Sequence, residues 1–173
     1  EKQKNKLEEF LNLGIDIFWK GLEEVEENNI NGIFIANEVL DALPVERITF
    51  SKDKLLRQGV SVDKKSCELF FDELPITSGL KKNIKMAKRE LGITIPPKDA
   101  PEGWTTEWHV DNSEWLKNIY GKINNGILLI IDYAKEAEKY YASRNSNGTI
   151  VSYKNQKMMT NVLDSPGNCD LTS

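Results

Sequence analysis

The sequence GIFIANEVLDALPV, residues 32–45, joins a short apolar segment to an acidic polar one. Gly32 to Ala36 form an uninterrupted apolar run between Asn31 and Asn37, which is typical of a strand covered on both faces. Open parallel sheets bind their ligands beyond the carboxyl ends of such strands. The sequence therefore predicts a buried strand followed by a turn that contributes to a site.

Other segments extend this pattern. GILLIIDY, residues 126–133, is a second apolar strand that ends in polar residues, and residues 111–120 before it have apolar side chains at helical spacing. GIDIFW, residues 14–19, reads as another short strand, and residues 1–11 read as a helix. Alternating helices and apolar strands predict an α/β fold with a parallel sheet.

The pattern changes between the two apolar strands. Residues 45–75 have the composition of two or three antiparallel strands, with turns at Asp53-Lys54 and at Asp63 to Lys65. A helix is predicted over residues 78–91, and its apolar positions fall on one face: Leu80, Ile84, Ala87 and Leu91. We interpret this region as an inserted β-meander with a helix. The chain is then a single domain, residues 1–173, with a core of residues 1–50 and 105–173 and an insert at about 46–104.

Composition excludes several classes of function. The 173 residues carry a net charge of −4 and no run of Lys or Arg longer than a pair, which argues against nucleic-acid binding. No apolar stretch is long enough to span a bilayer and no leader pattern is visible, so we expect a cytoplasmic protein. His109 is the only histidine, and Cys67 and Cys169 lie far apart, so we predict no metal site.

Four stretches, in this order, resemble successive motifs of the MidA/DUF185 family: IANEVLDALPVERI (35–48), TEWHVDNSEWL (106–116), LLIIDYAKEAEKYYASRNSNGTIVSY (128–153) and SPGNCDLT (165–172). The resemblance implies part of the Rossmann-like, seven-stranded sheet of a class I methyltransferase. GIDIFW, GIFIAN and GILLIIDY would be its third, fourth and fifth strands. It also implies that the parent protein transfers methyl groups from S-adenosyl-L-methionine to arginine in a protein substrate, by resemblance a subunit of respiratory complex I.

Most of the cofactor site expected from the resemblance is missing. No GxGxG turn precedes a helix, and no second strand ending in an acidic residue can be identified. A sheet without its central strand would expose an unpaired edge, through which the chain could dimerise. If the parent protein is eukaryotic, the resemblance places it in the mitochondrial matrix.

The resemblance also suggests roles for particular residues. Glu38 matches the position of the first of two carboxylates in protein arginine methyltransferases, and either Asp41 or Glu46 would be its partner, with Asp41 favoured. Asn37 would line the methyl-transfer site and touch the cofactor. Four more residues would face the substrate in the same crevice: Asp132, Tyr133, Asp170 and Thr172. Glu107 resembles an acidic position near the family's insert, but we assign it no chemistry.

Structural explanations stay open for the same residues. Asn37 could begin a turn, Glu38 and Asp41 could favour the first turn of a helix, and Asp132 could cap the next helix. The function likewise has two interpretations. One is a methyltransferase, and the other is a non-catalytic module whose insert binds a partner during assembly.

Overall fold

The computed structural model describes residues 2–173. The helices are α1 (Lys2–Lys6), α2 (Glu8–Asn12), α3 (Ser78–Leu91), α4 (Asn112–Lys122) and α5 (Ala137–Tyr140). The strands are β1 (Ile30–Asn37), β2 (Glu46–Ser51), β3 (Lys54–Val62), β4 (Leu69–Pro75), β5 (Thr105–Trp108), β6 (Ile123–Ile131), β7 (Val151–Lys154), β8 (Lys157–Met158) and β9 (Asp170–Thr172). They form three sheets, ordered β1-β6, β4-β3-β2-β5 and β8-β7-β9.

The β1 and β6 strands pair in parallel, although 85 residues separate Asn37 from Ile123 in the sequence. Their backbones approach closely at Gly32 and Gly126. A Cβ added to Gly126 would therefore overlap the carbonyl oxygen of Gly32. The helix α4 leads directly into β6, so this part of the chain has the helix-to-strand order of a parallel α/β unit. The parallel pair confirms two of the predicted strands.

The insert forms an antiparallel sheet with its own core. β2, β3 and β4 are consecutive antiparallel neighbours, and β5 adds to the other edge of β2. The apolar face of α3 packs on this sheet, and Thr77 caps the helix by accepting the N–H of Leu80 at 3.2 Å. The buried core residues are Ile48, Leu80, Ile84, Ala87, Ile95, Trp104 and Trp108. The predicted meander and helix are therefore confirmed.

Several local predictions are wrong. GIDIFW is not a strand, and Phe18 within it is 74% exposed, since no neighbouring strand pairs with it among residues 2–173. The β1 strand is not covered on both faces either, because Ile33 and Ile35 are 66% and 60% exposed. Leu91, at the end of α3, points to solvent, and the β2-β3 turn is made by Lys52 and Asp53, one residue earlier than predicted. Apolar sequence alone does not say whether a covering layer is present.

Candidate functional site

A crevice of about 1110 Å³ lies beyond the carboxyl ends of β1 and β6, and the β7-β9 region also contributes residues to its lining. Its lining includes five of the residues predicted from the sequence: Glu38, Asp41, Tyr133, Asp170 and Thr172. Among the charged lining residues, one is a lysine, Lys135, and three are carboxylates: Glu38, Asp41 and Asp170. The crevice is therefore acidic, and it suits a cationic ligand.

Glu38 begins the turn that follows β1. Its N–H donates to the carbonyl oxygen of Ile131 at 2.8 Å, which continues the parallel ladder by one residue. Its φ of 50° lies in the left-handed region, where a residue with a Cβ is uncommon. The chain turns sharply at this point, and the exposed Glu38 side chain lines the crevice instead of continuing the strand.

Asp132 holds this turn in place. One carboxylate oxygen, Oδ2, accepts the backbone N–H groups of Val39, Leu40 and Asp41 at 3.1, 2.8 and 3.4 Å, and Oδ1 accepts the N–H of Tyr133 at 2.8 Å. The turn is not the start of a helix, and Asp132 caps this turn of β1 instead of the next helix. The two expectations of a first helical turn at Glu38 and Asp41 and of a helix cap at Asp132 are therefore wrong. The turn needs an acceptor because its successive N–H groups converge on one point.

Asp41 connects the turn to the end of the chain. Its Oδ2 accepts the hydroxyl of Thr172 at 2.6 Å, and its carbonyl oxygen accepts the N–H of Ser173 at 3.0 Å. Its second carboxylate oxygen, Oδ1, is buried and has no partner among the described residues. The first and last motifs therefore meet in space, with one carboxylate oxygen left free to accept a hydrogen bond.

The remaining predicted residues lie elsewhere. Asn37 is exposed at the end of β1 and is outside the lining of the crevice. Glu46, the alternative partner for Glu38, forms an ion pair with Arg57 at 3.1 Å on the insert sheet. Asp41 shares the crevice with Glu38, whereas Glu46 is engaged by Arg57 on the insert sheet, so the geometry favours Asp41.

A buried group of polar residues around Glu107 was not predicted from the sequence. Glu107 is fully buried, pairs with Arg47 at 3.0 Å and accepts both the N–H (2.6 Å) and the hydroxyl (3.1 Å) of Thr149. The Tyr140 hydroxyl lies 2.8 Å from that of Thr149 and 3.2 Å from Nε2 of His109. Tyr140 and Thr149 line the crevice. The only sequence signal was the acidic residue of TEWHV.

Burial changes the proton affinities in this group. Burial raises the pKa of Tyr140 to about 12, with a smaller opposing effect of its hydrogen bond to Thr149. Burial also lowers the pKa of His109, although the charges of Glu107 and Asp132 act in the opposite sense. Near neutral pH the Tyr140 hydroxyl is therefore protonated and His109 is uncharged.

Other kinds of site are not found within residues 2–173. No group of three or more His, Cys, Asp or Glu side chains is arranged to hold a metal ion. No helix in the same range is long and apolar enough to cross a membrane. Cys67 and Cys169 are both free thiols.

The parallel pair, the antiparallel insert and the crevice at the strand ends define a mixed α/β protein of the Rossmann-like methyltransferase type. The chain matches, over residues 1–173, the family model described as S-adenosyl-L-methionine-dependent methyltransferase, and it belongs to that family. The resemblance drawn from the four motifs is confirmed.

Individual relatives agree with this assignment. The protein arginine methyltransferase NDUFAF7 homolog, mitochondrial, of Caenorhabditis elegans is 27% identical over 163 residues, which cover 92% of this chain and 34% of that protein. A COG1565 superfamily member from Burkholderia thailandensis, bound to S-adenosyl-homocysteine, is 25% identical with a TM-score of 0.71, over 87% of this chain and 36% of that one. A native COG1565 superfamily structure from the same organism is 26% identical with a TM-score of 0.69, over 84% and 36%. The chain thus spans about a third of the length of each of these relatives.

Proposed function

We propose that this chain supplies the methyl-acceptor side of an S-adenosyl-L-methionine-dependent protein arginine methyltransferase. The observation that carries the proposal is the acidic crevice beyond the ends of two parallel strands, whose lining includes both Glu38 and Asp41. A guanidinium group has five N–H donors and no acceptor, so a wall of carboxylates matches its hydrogen-bonding needs.

The role of the carboxylates follows from the chemistry of arginine. The guanidinium is always protonated in water and its charge is delocalised, so its nitrogens are poor nucleophiles. Paired hydrogen bonds donated by the guanidinium to Glu38 and Asp41 would hold its plane and draw positive charge towards the bound nitrogens. The remaining nitrogen would then keep a lone pair for an in-line displacement, for which position is the main requirement.

Asp41 is suited to this role because only one of its oxygens is engaged within the chain. Thr172 donates to Oδ2, whereas Oδ1 is buried without a partner among the described residues. A buried carboxylate oxygen without a donor is unfavourable, and a substrate N–H would relieve it. The substrate-binding roles of Tyr133, Asp170 and Thr172 rest on the same crevice.

The crevice also fits the reactive end of the cofactor. S-adenosyl-L-methionine carries a positive sulfonium, and its methyl group is the one that is transferred. The acidic lining, with Asn37 at the adjoining strand end, suits that positive charge. Residues 2–173 contain no glycine-rich turn after a strand, so the adenosine and carboxylate ends of the cofactor would be held by other residues of the whole protein.

The substrate and location are proposed from the relatives. The relative from Caenorhabditis elegans is a protein arginine methyltransferase and is mitochondrial, which favours a protein substrate over a small molecule. We extend this to a subunit of a respiratory complex I-type assembly, and to the mitochondrial matrix for a eukaryotic parent. A cytoplasmic location would apply to a bacterial parent.

A non-catalytic assembly module is the second candidate. The insert contains the hydrophobic core cluster found within residues 2–173, and its hairpin exposes Val60 and Val62, which lie two positions apart on one face of β3 and are 53% and 56% accessible. Exposed apolar side chains close together favour contact with another protein. The β1-β6 edge could also serve as the contact between two copies of the chain.

The discriminating experiment compares Glu38→Gln with the unchanged full-length protein. We expect the variant to bind S-adenosyl-L-methionine in calorimetry with unchanged affinity and to lose transfer of a labelled methyl group to arginine. Glu73→Gln is the matched control, because Glu73 is an exposed glutamate on β4, away from the crevice. Transfer at the unchanged rate in Glu38→Gln would refute the role of Glu38, and a full-length protein that binds no cofactor would favour the assembly module.

A further inference from the structure

The buried group around Glu107 has a definite hydrogen-bond direction. A carboxylate can only accept, so the Thr149 hydroxyl must give its hydrogen to Glu107 Oε2, 3.1 Å away. The Thr149 oxygen can then accept from the Tyr140 hydroxyl at 2.8 Å. With its own hydrogen committed, the Tyr140 oxygen can accept from His109 only if Nε2 of His109 carries a proton.

A second observation at His109 points to the same tautomer. Its other ring nitrogen, Nδ1, is buried and has no partner among the described residues. A buried N–H without an acceptor is more unusual than a buried lone pair without a donor. The neutral ring therefore carries its hydrogen on Nε2, and the chain of donors runs from His109 through Tyr140 and Thr149 to Glu107.

Residues of the insert hold Glu107, the acceptor at the end of these hydrogen bonds, in place. Arg47 pairs with Glu107 Oε1 at 3.0 Å, donates to the carbonyl oxygen of Asn147 at 2.7 Å and also bonds Gln58, while its guanidinium lies 4.5 Å from the ring centroid of Phe71. A Cβ at Gly148 would overlap the Glu107 carboxylate. Glycine at that position allows the carboxylate to reach the backbone beside Thr149.

We propose that Glu107 is a positioning residue for the crevice, which acts through Thr149 to direct the Tyr140 hydroxyl and to select the tautomer of His109. Tyr140 and Thr149 lie in the crevice lining, whereas Glu107 lies outside it. The Tyr140 hydroxyl donates its hydrogen to Thr149. Its oxygen can therefore only accept a hydrogen bond from a ligand in the crevice, as the carboxylates of Glu38 and Asp41 can. This side of the crevice therefore favours a ligand that carries hydrogen-bond donors. The preference for such a substrate rests on the proposed function, but the direction of the hydrogen bonds does not.

The test is the tautomer of His109, read by nitrogen NMR of the full-length protein labelled at histidine. The His109→Gln variant assigns the signal by removing it. We expect the wild-type protein to show the Nε2–H form. Thr149→Val deprives Tyr140 of its acceptor, and Glu107→Ala removes the carboxylate that accepts the Thr149 hydroxyl, so that this hydroxyl can donate to Tyr140 instead. Both variants should therefore show a new Nδ1–H signal.

The control is Thr106→Val, the same substitution at a buried threonine on β5 whose hydroxyl is not part of this chain of hydrogen bonds. It should keep the wild-type tautomer. The proposal is overturned if Glu107→Ala and Thr149→Val, still folded by circular dichroism, keep the Nε2–H form, or if Thr106→Val changes it equally. Failure of the proposed methyltransferase function would appear separately, as a full-length protein that binds no S-adenosyl-L-methionine and transfers no methyl group.

Discussion

Replacing Asp132 with asparagine removes the charge that holds the turn after β1. In the wild-type protein Oδ2 of Asp132 accepts the N–H groups of Val39, Leu40 and Asp41, with the shortest bond, 2.8 Å, to Leu40. Each hydrogen bond to a charged group contributes about 1.5 to 3 kcal/mol. The three donors share one oxygen and an amide oxygen can still accept, so we expect the total loss to be close to that of one such bond, about 2 to 3 kcal/mol.

Hydrogen exchange of the backbone amides measures this loss directly. Exchange from a local opening accelerates about tenfold for each 1.4 kcal/mol. The amide of Leu40 should therefore exchange roughly 30- to 150-fold faster in Asp132→Asn of the full-length protein. The amides of β3 should not change, because they lie in a different sheet.

Asp170→Asn is the control for this measurement. Asp170 lines the crevice that also borders Asp41 of the turn, so the substitution removes one negative charge nearby without touching the donors of the turn. If Leu40 exchanged no faster in Asp132→Asn than in Asp170→Asn, general electrostatics would explain the effect and the capping role would be refuted.

Four further predictions concern stability. Gly126→Ala should destabilise the protein by about 1 to 3 kcal/mol in urea unfolding, because the new Cβ would overlap the Gly32 carbonyl oxygen. Ile84→Ala should cost about 2 to 5 kcal/mol in the same assay, since Ile84 is buried in the core of the insert. Leu91→Ala, on the same helix but exposed, should change stability by less than about 0.5 kcal/mol. His109 has a lowered pKa in the folded protein, so below its ordinary value of about 6.5 the unfolded chain binds a proton that the folded chain does not. Stability should accordingly fall as the pH drops through this range, and unfolding midpoints of His109→Gln should depend less on pH.

The sequence predicted elements whose patterns are decided locally. The α3 helix has a threonine cap, an apolar face and a glycine at its end, and each feature acts within a few residues. The strands of the insert likewise follow from alternation and turns. Phe18 and Ile33 show the limit of this reasoning, because their exposure depends on which other elements cover them. A pattern of apolar residues predicts that a strand is stabilised by packing against other elements, but it does not show whether those elements are present.

The candidate site was predicted in part. Glu38, Asp41 and Thr172 were identified from motifs, and two of them are joined by a hydrogen bond between residues 131 positions apart. The contacts of Asp132 with the 39–41 turn and of Glu107 with Thr149 were missed. Both join a carboxylate to backbone groups distant in sequence, and no periodicity or spacing encodes such a pairing.

The backbone at Glu38 has a consequence for which amino acids the position can accept. With φ at 50°, the backbone at this position favours glycine or asparagine over the glutamate that occupies it. If codon 38 were randomised, two different selections should therefore enrich different amino acids. Selection for soluble, folded protein should enrich glycine and asparagine, whereas selection for methyl transfer should return glutamate. The difference in unfolding free energy between the glycine variant and the wild-type protein would then measure how much stability glutamate costs at this position.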